Sequence, residues 1–138
     1  MTAKKLVCLD IGERRIGVAV ADTSVRIAVP QETVLVDGME LERIKKIVYL
    51  ESAALVVAGY PRNQQGEATK QTAFAEAFVQ KLTALDGFET PVVFQDESLT
   101  SVAAEQYLIE SKKPYTKADI DAKAAAIILQ DYIEEQYG

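Results

Sequence analysis

Hydrophobic and polar positions change period several times along the chain, and each change marks an element. Leu6-Val7-Cys8-Leu9 is a short apolar run that gives way to Asp10 and Gly12. A second run, from Ile16 to Val20, follows a charged, glycine-containing connection. Residues 5–9 and 15–21 are therefore expected to be two strands of a hairpin. Residues 26–36 form a third extended segment, with Ile27, Val29 and the run Val34-Leu35-Val36. Pro30 lacks a ladder donor, which places this segment at a sheet edge or breaks it. Over 39–50 the spacing of Leu41, Ile44, Ile47 and Val48 is helical. Residues 55–58 are wholly apolar, as suits a central strand covered on both faces.

The second half continues with a polar loop over 59–66, GYPRNQQG, rich in turn formers. A helix is expected over 67–85, with Phe74, Phe78, Leu82 and Leu85 as its core stripe. A strand over 91–95 ends in Asp96-Glu97. Thr100 is expected to cap a helix over 101–110, and Pro114 interrupts the loop 111–115. The last helix, 117–135, opens with Thr116 and Asp119 at capping-box spacing. The order is read as βββαβαβα in a single domain over 1–138. Helices alternating with strands imply an α/β fold, a mixed five-stranded sheet flanked by helices.

Composition narrows the chemistry. The chain has 138 residues, long enough for one proper core, and no apolar run approaches the roughly 20 residues of a membrane span. Residues 1–5 lead straight into a strand without the features of a signal peptide, and Cys8 is the lone cysteine; both favour the cytoplasm. Cys8 itself reads as a small buried hydrophobe. A net charge of −6 argues against a protein that coats nucleic acid through excess positive charge. It leaves room for an enzyme meeting nucleic acid through bound metal and a local basic patch. Histidine is absent, which excludes Ser-His-Asp and Cys-His catalysis and histidine-ligated zinc. Any metal would be hard and oxygen-bound, Mg²⁺ or Mn²⁺.

Three carboxylate positions then stand out. Asp10 closes the first strand, although a turn aspartate would look the same. Asp96-Glu97 closes the last strand; strand alternation points the two to opposite faces, so only one serves a common site. Asp121 shares a helical stripe with Ala125, Ile128, Leu129 and Tyr132, which turns it inward. An inward acid needs a partner, either a lysine or arginine or a metal shared with Asp10 and Glu97. Carboxylates converging at a sheet end can hold one or two Mg²⁺ ions for phosphodiester hydrolysis.

Four collinear blocks carry a resemblance over essentially the whole chain: LDIGERRIGVAVAD, GYPRNQQG with the helix after it, PVVFQDESLTS, and DAKAAAIILQDY. Together they resemble the YqgF/RuvX family, the Holliday junction resolvase or pre-16S ribosomal RNA nuclease group. The resemblance implies an RNase H-like fold and a cytosolic, metal-dependent nuclease. Its implied role is trimming the 5′ end of precursor 16S rRNA, with pre-ribosomal particles as partners. Asp10, Glu97 and Asp121 match the family's catalytic, metal-binding acids, which favours Glu97 over Asp96. Arg14 and Arg15 match a basic turn and, with Lys123, are candidate nucleic-acid contacts; ordinary solvated charge is the alternative for the two arginines. Lys112, Lys113 and Lys117 also flank the last acid. Two departures stand out: Ser98 replaces the usual arginine, losing a bidentate phosphate contact, and Gln65 replaces a common aspartate.

Other readings fit the same residues. A Holliday junction resolvase acting on four-way DNA would need two symmetry-related sites and so a homodimer, whereas an RNA trimmer could work as a monomer. A non-catalytic RNase H-like module is a further alternative. An ATP-binding protein of the actin and sugar-kinase superfamily would need a second D-x-G loop, and the chain has one.

Overall fold

The first two apolar runs form the expected hairpin. β1 (Lys5–Ile11) and β2 (Arg15–Asp22) pair antiparallel, from Lys5 opposite Asp22 to Ile11 opposite Ile16. The Gly12 amide closes the turn on the Arg15 carbonyl at 3.0 Å. A Cβ on Gly12 would crowd that same carbonyl, so the tight turn needs glycine. The computed structural model describes residues 3–63, 65–97 and 100–138, with the backbone alone for 100–103.

β3 (Val29–Leu35) pairs antiparallel with β2 and forms the sheet edge, where Pro30 is tolerated. It starts later than the extended pattern suggests, because Arg26 adopts a left-handed φ of 64°. The chain continues through α1 (Glu40–Leu50), β4 (Leu55–Pro61), α2 (Lys70–Thr83), β5 (Val92–Glu97), α3 (Thr100–Ser111) and α4 (Lys117–Tyr137). β4 runs parallel to both β1 and β5, and the sheet order is β3-β2-β1-β4-β5. The five-stranded mixed sheet is therefore as expected. The order is βββαβαβαα: both helices expected after the last strand are present, divided at Lys112-Lys113-Pro114, where the eight-element string had counted them as one. Thr116 and Asp119 form the capping box that starts α4. Ser98 and the side chain of Thr100 lie outside the described residues.

Strand alternation divides the core into two layers. Leu6 and Cys8 of β1, Ala19 and Ala21 of β2 and Val57 of β4 pack against Ala125, Ile128, Leu129 and Ile133 of α4. Val7, Leu9, Ile16, Val18 and Val56 face the other way, toward Ile44 and Val48 of α1 and Phe78 and Leu82 of α2. Counting on by twos puts Asp10, Gly17, Gly59 and Glu97 on the α4 side of the sheet. The site is built from that parity. Burial pushes the Cys8 thiol pKa well up, so this lone cysteine is an unreactive core residue.

Candidate active site

Two missing side chains let the carboxylates meet. Gly17 of β2 stands opposite Asp10. A Cβ there would overlap the backbone carbonyl of Asp121, so glycine lets the first turns of α4 lie directly on the sheet. Ala125 and Ala126, buried in the same core layer, extend this close approach. Gly59 of β4 does the equivalent for Glu97. β4 lies between β1 and β5, and a Cβ on Gly59 would occupy the space taken by the Glu97 carboxylate. Glu97 thus reaches across a neighbouring strand toward Asp10.

A small pocket of about 170 Å³ results, lined by Asp10, Glu97 and Asp121 together with Glu13, Arg15, Pro61, Gln71 and Phe74. The three acids singled out by sequence share this one pocket. Glu97, within β5 rather than after it, is the member of the Asp96-Glu97 pair that faces it. Asp96 points outward and pairs with Arg62 at 3.3 Å. Arg62 in turn stands over the Tyr60 ring, 5.0 Å from its centroid.

The electrostatics of the three acids differ. Burial raises the Glu97 pKa to about 8, helped by the charge of Asp10 and by their shared hydrogen bond. Burial also raises Asp10, to about 6; the charge of Asp121 adds to this and the hydrogen bond from Glu97 opposes it. Both acids of the pair are therefore harder to ionise than an ordinary carboxyl, and burial is the main cause. Asp121 instead accepts from Arg15 Nε at 2.5 Å, with both side chains half-buried. This is the arginine partner that the helical stripe left open. Among the described residues no three acids form a ready metal-ligating cluster, and Asp121 is the one held by a cation.

The other sequence candidates lie outside this lining. Arg14 is exposed at the hairpin turn. Lys123 places its ammonium over the Tyr107 ring, 3.9 Å from the centroid. Conversely, Phe74 was expected to be core, yet it is half-buried and walls the pocket beside Gln71 and Pro61. Its helix starts at Lys70, so Phe74 sits in the second turn, at the layer's margin. The carbonyl of Pro61 accepts a hydrogen bond from the buried Thr72 hydroxyl, which ties the strand end to α2. Beyond it the Asn63 side chain accepts the amides of Gln65 and Glu67, and Gly66 takes a φ of 79°. Gln71 is a polar residue one turn before an aromatic stripe, a signal too common to single out. No helix among the described residues is long and apolar enough to cross a membrane.

A family model described as "RuvX: Holliday junction resolvase" matches residues 4–135. A relative from Chloroflexus aggregans, described as "Putative pre-16S rRNA nuclease", is 41% identical over 138 residues, covering 97% of this chain and 96% of its own. One of the same description from Thermoanaerobacter pseudethanolicus is 34% identical, covering 96% and 97%. Among solved structures, T. thermophilus RuvC in complex with a Holliday junction substrate matches with a TM-score of 0.58 at 17% identity, covering 97% of this chain and 96% of that one. At that identity the likeness is one of fold, and the fold is RNase H-like.

Proposed function

Since this chain belongs to the RuvX family of nucleases, we propose that it is a metal-dependent phosphodiester hydrolase that processes the 5′ end of precursor 16S rRNA. The whole chain acts as one catalytic domain, working in the cytoplasm on pre-ribosomal particles. The observation that carries this reading is the pocket itself: a destabilised carboxylate pair and a third acid at one end of the sheet, in a protein with no histidine.

The residues present fit a hard divalent cation. All three candidate ligands are oxygen donors, and the buried Asp10–Glu97 pair carries like-charge repulsion that a cation would relieve. Asp10, Glu97 and Asp121 would hold Mg²⁺ or Mn²⁺, which supplies an activated water and charge stabilisation at the leaving oxygen. A bound cation would favour the ionised form of both buried acids, opposing the upward shift that burial imposes. Asp121 must turn from Arg15. Phe74 and Pro61 form the apolar wall that limits water around the reacting phosphate, and Gln71 offers a neutral donor beside them. Arg14 and Arg15 at the hairpin, with Lys123 on α4, contact the substrate backbone.

A second reading, cleavage of a four-way DNA junction, is favoured by the description of the matching family. The deciding experiment runs a precursor 16S leader RNA and a four-way DNA junction side by side, with Mn²⁺, with EDTA, and with Asp10→Asn. Metal- and Asp10-dependent cutting of the RNA supports rRNA processing. Cutting of the junction alone makes the protein a resolvase and predicts a homodimer. A folded protein that cuts neither would reject the nuclease reading in favour of a binding module.

A further inference from the structure

We propose that Arg15 is a latch on Asp121. It holds the carboxylate as an internal counter-ion in the resting protein and passes to a substrate phosphate when a divalent cation enters. This positioning role rests on the reading that the three acids bind a cation, and adds to it how the site is kept open beforehand.

The backbones of the two partners are fixed while their side chains are not. Arg15 begins β2, is held by the turn bond from Gly12, and pairs with Leu35 of β3. Asp121 is set by the packing of α4 on Gly17. Side-chain rotation alone can therefore break the ion pair. The bond between them is single, from Nε, and among the described residues the terminal nitrogens of Arg15 make no further hydrogen bond. Its side chain keeps 31% exposure at the pocket wall, within reach of an arriving anion. A phosphate offers the guanidinium two parallel bonds, a better match than its single bond to Asp121.

Charge makes the exchange one process. A guanidinium and a divalent cation on the same carboxylate repel each other, so cation uptake weakens the latch, and holding the latch weakens cation uptake. Asp121 then completes the ligand set only when Arg15 has somewhere better to go. Arg15 acts through Asp121 before the substrate arrives and on the phosphate afterwards.

Titration calorimetry with Mn²⁺ alone tests this on the wild type, Arg15→Gln, Arg15→Lys and Asp10→Asn, each checked for folding by thermal melting. Arg15→Gln should bind Mn²⁺ at least about 5-fold more tightly, and Arg15→Lys should stay near the wild type. With Ca²⁺ in place of a cleaving metal, the salt dependence of single-stranded RNA binding should lose about one phosphate contact in Arg15→Gln, a slope change of about 0.7. Unchanged or weaker Mn²⁺ binding by a folded Arg15→Gln protein would overturn the latch and make Arg15 a simple orienting partner. Wild-type Mn²⁺ affinity in Asp10→Asn would overturn it differently, by showing that the carboxylate site itself does not bind the metal.

Discussion

Two carboxylate pairings share one small pocket and have opposite electrostatics. Asp10 and Glu97 face the same pocket, and burial makes both resist ionisation. Asp121, in the same pocket, pairs with Arg15 at 2.5 Å, although its charge still raises Asp10. The first arrangement is costly for folding, since buried like charges raise the energy of the ionised form. The second is what an ordinary protein does with an inward acid. The contrast is what the proposed cation site predicts: the sheet holds a buried acid pair that a bound cation would stabilise, while the helix acid already has a protein partner.

The largest effect should come from breaking the uncompensated pair. Asp10→Asn or Glu97→Gln should lower metal-dependent cleavage at least about 100-fold while the fold persists; single-turnover cleavage and circular dichroism check both halves. Wild-type rates in either variant would remove that acid from the site.

Next comes the geometry that lets α4 share the pocket. Gly17→Ala drives a methyl into the Asp121 carbonyl and should cost about 1–3 kcal/mol in denaturant unfolding, because backbone on both sides must shift. A Gly59→Ala substitution meets the movable Glu97 side chain instead, so it should spare stability more and reduce activity. Equal stability losses at the two sites would show that Glu97 is as rigidly held as the helix.

Proton linkage sharpens the comparison further. Asp10 and Glu97 have folded pKa values of about 6 and about 8, above the ordinary carboxylate values of 3.8 and 4.5. The folded state therefore holds more protons than the unfolded chain between about pH 4 and pH 8, and metal-free stability should fall as pH rises through that window. Asp10→Asn should flatten the slope and stabilise the metal-free protein at pH 8 by on the order of 1–3 kcal/mol. Thermal melts with EDTA across pH 5–8 read this directly, and stability rising with pH would contradict it.

The smallest effect belongs to the compensated acid. Asp121→Asn breaks a partly exposed ion pair and should change stability by less than about 1 kcal/mol. Its effect on cleavage should be far larger than that. A stability loss comparable to that of Gly17→Ala would mean that the ion pair is structural.

Much of this molecule follows from its residue pattern. The hairpin, the edge position of Pro30, the central apolar strand and the Thr116–Asp119 cap all arise from local periodicity and short-range hydrogen bonding. Alternation also required Asp96 and Glu97 to part, because successive side chains of a strand leave on opposite faces. Asp10, Glu97 and Asp121 were each legible as candidates, the first two as strand-end acids and the third as an acid on an apolar stripe. Phe74 departs from its expected core place because helical spacing marks a buried stripe without showing where the covering layer stops.

Tertiary structure decided the rest. Which acid of the Asp96-Glu97 pair meets Asp10 depends on β4 lying between β5 and β1 and on Gly59 leaving the gap. Whether Asp121 is paired, and by what, depends on Arg15, 106 positions earlier in the chain. Local pattern could say that this carboxylate needed a partner. It could not name one, because electrostatic partners are chosen by distance in space, and only the packing of α4 on Gly17 sets that distance.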